Sequence, residues 1–160
     1  MPPEVFLVET LPYLRPNYFN GKEFQEAVPL SVTAFMCGLF NSFVIDFIIR
    51  QRISLHATMS HILELPIPRY SEKDPYFSEI VQNVGSLICT SPEFDSLKKE
   101  LQIKKGVTDL QERERLMAQI SAYTAKIYDL TKEELEYIIS TFSEKNQPLK
   151  QRVLEEFNKL

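Results

Sequence analysis

Apolar residues recur at helical spacing through most of the chain. From Ser31 to about Arg52 nearly every residue is apolar, which predicts one helix that is buried on almost all sides, with the Ser31 hydroxyl as its N-cap. Asp74-Pro75 and Ser91-Pro92 have the acceptor-then-proline order of helix starts. Lys104-Lys105-Gly106 carries the cations and the glycine that are typical of a helix end.

The second half continues this pattern. Residues 110–128 have the longest amphipathic run, and Thr131 followed by Glu134 forms a capping box that predicts the start of the next helix. Pro148 opens a last short helix. The pattern therefore predicts a mainly α fold, with five to six helices packed around a central apolar helix.

The N-terminal residues follow a different pattern. Residues 5–8 are β-branched or aromatic enough to predict a short strand. Asn20-Gly21 lies between aromatic residues, and this dipeptide favours a tight hairpin turn, although a loop covering the following helix fits equally well. We therefore predict an appendage of strand and loop over residues 1–30 and a helical module over residues 31–160.

Composition and charge narrow the class of protein. The chain has 160 residues, of which 44% are hydrophobic and 25% charged, as in ordinary soluble domains. Its net charge is −4, which argues against a free-standing nucleic-acid binder. Asn41, Ser42 and Asp46 interrupt the apolar run, so we expect a core helix and no membrane partner. Without a signal peptide, Cys37 and Cys89 are expected to be reduced thiols of a cytoplasmic protein.

No catalytic motif is present in the sequence. Adenine-specific DNA methyltransferases need an Asn/Asp-Pro-Pro-Tyr/Phe loop to hold the flipped base, and no such tetrapeptide occurs here. A glycine-rich turn for a methyl donor and a nuclease Asp…Glu-x-Lys set are also missing. The histidines and cysteines lack the paired spacing of zinc ligands. We therefore expect no catalytic or metal-binding residues, and no methyltransferase or nuclease activity from this chain alone.

Two polar features remain. Asn41 and Ser42 interrupt the apolar helix, so the Asn41 amide should be buried and bonded to the backbone of a neighbouring loop, or should contact DNA or another domain. A basic turn and the loop after it carry five residues that could bind phosphates or base edges. The alternative is a set of solvated side chains near a helix end, where cations are favoured. These residues are Arg50, Arg52, His56, His61 and Arg69.

Two blocks of the sequence resemble a known family. The first contains Leu39-Phe40-Asn41-Ser42 and closes with Leu65-Pro66-Ile67-Pro68, and the second runs from Leu116 to Phe142. Both resemble, in the same order, the C-terminal region of fused type II adenine-specific restriction–modification DNA methylases and their phage-defence relatives. An aspartate and a glycine of that pattern are replaced here by Ser121 and Asp129.

The resemblance implies a non-catalytic C-terminal module of a larger DNA methylase. Such a module would support target recognition, would contact the catalytic domain, and would bind DNA only together with it. The cofactor, S-adenosylmethionine, would belong to the larger enzyme, which would methylate adenine, and none is expected in this chain. The alternative is a helical protein–protein assembly module that makes no DNA contact. The motif residues expected to have structural roles are Asn41, Ser42, Pro66, Pro68, Tyr128, Thr131 and Glu134.

Overall fold

The computed structural model describes residues 17–26, 28–53 and 58–160, and the predicted strand at residues 5–8 lies outside these ranges. The described part is mainly helical, as predicted. It begins with two short antiparallel strands, β1 (Asn17–Phe19) and β2 (Phe24–Glu26). The Asn20 amide N–H donates to Glu23 O, and Gly21 has a φ of 95°. Of the two alternatives for Asn20-Gly21, the structure shows the hairpin.

The long apolar stretch forms two helices. The first helix, α1 (Leu30–Phe40), and the second, α2 (Phe43–Arg50), are bent by 64° relative to each other. Ser42 lies at the break, where its hydroxyl accepts the Ile45 amide at 3.3 Å and so caps α2. The prediction of one continuous helix is therefore wrong. Within the described ranges, no single helix is long and apolar enough to cross a membrane. The bent pair α1 and α2 has that length and composition only when the two helices are taken together.

The start of α1 also differs from the prediction. Its N-cap is Pro29, and the Ser31 hydroxyl donates to the Glu72 carboxylate at 2.8 Å. Ser31 therefore links α1 to the segment before the next long helix and does not cap its own helix.

Six more helices follow. A short helix, α3 (Met59–Leu63), lies in the segment that was expected to be a loop. The 3-10 turn Pro92–Phe94 leads directly into α5, and the 3-10 turn Glu144–Asn146 leads into α8. The remaining bounds are α4 (Phe77–Ile88), α5 (Asp95–Glu100), α6 (Leu110–Ile127), α7 (Lys132–Ser140) and α8 (Gln147–Phe157).

Side-chain caps begin α2, α3, α6 and α7 in the described residues. The predicted capping box of α7 is confirmed, because the Thr131 hydroxyl accepts the Glu134 amide and the Glu134 carboxylate accepts the Thr131 amide. The start of α4 is later than predicted. Asp74 accepts the Ser71 amide instead of capping a helix, and the left-handed Tyr76, with a φ of 69°, immediately precedes α4.

The end of α5 is also earlier than predicted. Gln102 has a φ of 54°, and the amides of Gln102 and Ile103 bond to Lys99 O and Lys98 O, which is the Schellman ending. Gly106 has a different role beyond this turn. A Cβ at Gly106 would lie 1.9 Å from Cys89 O, so glycine allows the chain to pass close to the end of α4.

The core consists of two apolar clusters. The α1–α4 cluster contains buried residues such as Leu39, Ile80 and Ile120. The α7–α8 cluster contains Phe43, Val44, Ala122, Leu135 and Val153. Helix α6 contributes to both, with Ile120 in the first and Ala122 in the second. The apolar stretch predicted as the centre of the fold is therefore shared between the clusters, and α6 joins them.

Candidate nucleic-acid interface

The Asn41-Ser42 pair forms the break between α1 and α2. Ser42 is buried, and its hydroxyl donates to Leu39 O at 2.6 Å. Asn41 is exposed, and its amide nitrogen donates to Cys37 O at 2.8 Å. The prediction that Asn41 is buried and bonded to a neighbouring loop is wrong, because α1 ends before it and its amide instead bonds the last turn of that helix.

Arg50 lies at the end of α2 and is paired within its own helix. Its guanidinium donates from Nε to Asp46 Oδ1 at 2.8 Å and from Nη2 to Asp46 Oδ2 at 3.0 Å. The same group lies 4.7 Å from the centre of the Phe142 ring. The hydrogen bond with Asp46 raises the pKa of Arg50. Its side chain is still 59% exposed, but a phosphate would have to compete with Asp46 for it.

Arg52 connects the end of α2 to the end of α3. Its Nη1 donates to Glu64 O at 2.8 Å and lies 3.9 Å from the Glu64 carboxylate. Glu64 directly precedes the motif segment Leu65-Pro66-Ile67-Pro68. Arg52 therefore holds the start of that segment, while its side chain stays partly exposed.

The other three candidate cations differ in position. His61 lies on α3, where its Nδ1 accepts the Thr58 amide at 3.2 Å, so it caps a helix that was predicted to be a loop. Arg69 is exposed and has no ion pair or hydrogen bond within the ranges that the structure describes. His56 lies outside the described residues.

Tyr128 joins the two blocks that resemble the methylase family. Its hydroxyl donates to Pro66 O at 3.0 Å, across 62 positions of sequence. Burial of the phenol raises the pKa of Tyr128 to about 12. Leu65 is buried in the α1–α4 cluster, and Pro68 is half-buried. The proline-rich segment is therefore fixed to the end of α6.

The same two blocks meet again where α2 packs against α7. The rings of Phe43 and Phe142 pack edge to face with their centres 4.8 Å apart, and those of Phe47 and Tyr137 do so at 6.1 Å. Together with the capping box at Thr131, these contacts give the motif residues structural roles. The structure does not gather the basic residues into one patch through any described contact, and each of Arg50, Arg52 and His61 has its own internal partner.

The titratable groups offer little nucleophilic or ligand chemistry. Burial raises the pKa values of the Cys37 and Cys89 thiols, which keeps them protonated and poor as nucleophiles. Among the described residues, no group of three His, Cys, Asp or Glu side chains could hold a metal ion. The chain matches no protein-family model, and no curated protein or solved structure is significantly similar to it.

Proposed function

We propose that the chain forms the non-catalytic, helical C-terminal module of a restriction–modification DNA methylase and supports recognition of the DNA target. The larger enzyme would transfer a methyl group from S-adenosylmethionine to adenine, and its catalytic domain would be the direct partner of this module. The supporting observation is the hydrogen bond from the Tyr128 hydroxyl to Pro66 O.

This contact matters because each of its residues comes from a different motif block. The two blocks are separate stretches of sequence, and a chance likeness gives no reason for them to touch. In the fold, Tyr128 of the second block supports the proline-rich segment of the first. The packing of Phe43 against Phe142 joins the same blocks at a second point. A resemblance whose two parts form one local structure supports a shared architecture.

The DNA-facing edge would centre on the two arginines that flank the proline-rich segment. Arg52 bonds to Glu64, the residue directly before this segment, and Arg69 is the residue directly after it. Arg50 is less available because Asp46 accepts hydrogen bonds from two of its three donor nitrogens. With so few cations in a chain of net charge −4, the isolated module should bind DNA weakly.

The test is the double variant Arg52→Ala/Arg69→Ala in the full-length enzyme. DNA affinity should fall, and the slope of log Kd against log salt should flatten by about one unit for each phosphate that the variant no longer neutralises. The matched control is Lys104→Ala/Lys105→Ala, which removes the same charge from exposed positions outside the first block. If Arg52→Ala/Arg69→Ala binds DNA like the parent, with the parent's salt slope, or weakens binding no more than Lys104→Ala/Lys105→Ala, the DNA-facing role is wrong.

The second candidate is a protein–protein assembly module. The observation that favours it is the exposure of one large apolar side chain in each motif block, since Leu63 is 74% exposed and Tyr137 is 65% exposed. Apolar side chains this exposed would contribute hydrophobic free energy to association if a partner covered them. On this hypothesis Leu63→Ser and Tyr137→Ser would weaken binding to the catalytic domain, measured with the two pieces as separate chains, and the arginine variants would change nothing.

A further inference from the structure

A cavity of about 250 Å³ opens at the break between α1 and α2. Asn41, Phe43 and Asp46 line one side, and Ser121 of α6 and Asn146 before α8 line the other. The share of liquid volume for one water is about 30 Å³, so the cavity has room for a small ion together with water. It is separate from the arginines that flank the proline-rich segment.

Ser121 is the most informative residue in this cavity. Its side chain is only 3% exposed, yet its hydroxyl has no hydrogen-bond partner among the residues that the structure describes. Thr124, on the same helix, instead donates its hydroxyl to Ile120 O at 2.8 Å. No fully buried side-chain nitrogen or oxygen in the described residues lacks a partner, so the Ser121 oxygen is reached by solvent, at the cavity that this residue lines. The cavity is where a partner for Ser121 would lie.

The first turn of α2 supplies further donors at the same place. Ser42 accepts the Ile45 amide, but the Phe43 and Val44 amides, which begin the helix, have no acceptor within the described part of the chain. Unpaired amides and the helix dipole together favour an anion at a helix N-terminus. Phe43 and Ser121 both line the cavity, so the Phe43 amide and the Ser121 hydroxyl are donors at one site.

Asp46 also lines the cavity and would repel an anion if its charge were uncompensated. Both of its oxygens accept bonds from Arg50, at 2.8 and 3.0 Å. The Asp46–Arg50 pair therefore carries no net charge, and both Asp46 oxygens are engaged by Arg50. The remaining polar groups at the cavity are the uncharged amides of Asn41 and Asn146.

We propose that this cavity binds an oxyanion, either a phosphate or a carboxylate group. The Ser121 hydroxyl donates to it from α6, and the Phe43 amide donates from the start of α2. The Asn146 amide at the mouth can donate a further bond. This proposal does not depend on the methylase function, since the site is defined by donors that lack partners and not by the arginines.

The test is a titration of the full chain with inorganic phosphate, and separately with acetate, at constant ionic strength maintained with chloride. Binding is followed through the backbone amide resonances of Phe43 and Val44. We expect saturable shifts, and Ser121→Ala should weaken the affinity about tenfold or more, the effect of losing one hydrogen bond to a charged acceptor. The control is Ser140→Ala, whose hydroxyl donates to Tyr137 O on α7 and whose removal should leave the affinity unchanged.

A second variant guards against a simple folding effect. Ser121→Asp places a carboxylate where the bound oxyanion would lie, so it should abolish the phosphate-induced shifts, and retention of the parent's other amide resonances would show that the chain is still folded. Tighter binding of phosphate than of acetate would identify a phosphate ester as the natural ligand, and the reverse order a carboxylate. Shifts that do not saturate with either ion, or that are the same in Ser121→Ala and Ser121→Asp as in the parent, would overturn the proposal.

Discussion

Tyr128 shows how one side chain can combine packing with a specific polar contact. Its ring packs against both core clusters, while its hydroxyl reaches Pro66 O at the surface. Burial disfavours the phenolate, which is why the pKa of Tyr128 lies near 12 instead of at the ordinary 10.0. A raised pKa at a contact between distant segments makes the stability of the fold depend on pH in a predictable direction.

The first prediction concerns Tyr128→Phe. Removal of the hydrogen bond should lower the free energy of unfolding by about 1 kcal/mol at pH 7. Below pH 10 the phenol is protonated in both states, so the difference between the proteins stays constant. Between pH 10 and about 12 the unfolded state loses the proton while the folded state keeps it, so the parent loses stability that the variant does not. Urea unfolding at pH 8, 10 and 11 measures this, and a constant difference would contradict it.

Asp129 is the residue immediately after Tyr128, and it adopts a conformation that favours glycine. Its φ is 51°, and the amides of Asp129 and Leu130 bond to Lys126 O and Ala125 O to close α6. Left-handed backbone costs an ordinary L residue about 1 kcal/mol or more, although aspartate tolerates it better than most.

We therefore predict that Asp129→Gly stabilises the fold by about 0.5–1 kcal/mol. The gain is limited because glycine also loses more conformational freedom on folding. Asp129→Ala removes the same carboxylate without relieving the backbone, so it serves as the control and should not stabilise. Thermal unfolding compares the three proteins. Equal stabilisation by Gly and Ala would assign the effect to charge.

At the scale of elements, the break between α1 and α2 shows the limit of hydrophobic patterns. Apolar residues continue on both sides of it, so periodicity alone predicts one helix. What ends the first helix is the buried Ser42 hydroxyl, which accepts the Ile45 amide and donates to Leu39 O. The start of α7 was predictable because Thr131 is a strong cap in front of an amphipathic run, whereas α6 was predicted from its amphipathic run alone and its cap, Asp109, was found in the structure. Helix α3 was missed because it is short and its cap partner is a histidine.

The break predicts different costs for two neighbouring substitutions. Ser42→Ala should lower the free energy of unfolding by about 1–2 kcal/mol, because it removes a buried helix cap. Asn41→Ala is the matched control, and since Asn41 is exposed it should cost about 0.5 kcal/mol or less. Chemical denaturation of both variants gives the comparison. A larger cost for Asn41→Ala would mean that Asn41, and not Ser42, maintains the bend.

At the scale of the whole molecule, α6 determines how the two clusters depend on each other. Ile120 packs into the α1–α4 cluster, while Ala118, Ala122 and Ala125 pack into the α7–α8 cluster. The sequence predicted the amphipathic stripe of α6 but only one core, since the alanines that face the second cluster are too small to stand out in a hydrophobic pattern. The basic residues were easy to find, but their internal partners Asp46 and Glu64 were visible only in three dimensions.

Because α6 belongs to both clusters, we predict that they unfold together. Leu135→Ala empties a fully buried site in the α7–α8 cluster and should cost about 2–5 kcal/mol. Ile80→Ala does the same in the α1–α4 cluster and provides the matched comparison. Methyl resonances of Val84 and Val153 report on the two clusters separately during urea unfolding. In both variants the two signals should disappear at one shared midpoint, shifted to lower urea. A lower midpoint for Val153 than for Val84 in Leu135→Ala would mean that α6 does not couple the clusters, and that the residues after α6 fold as a separate unit.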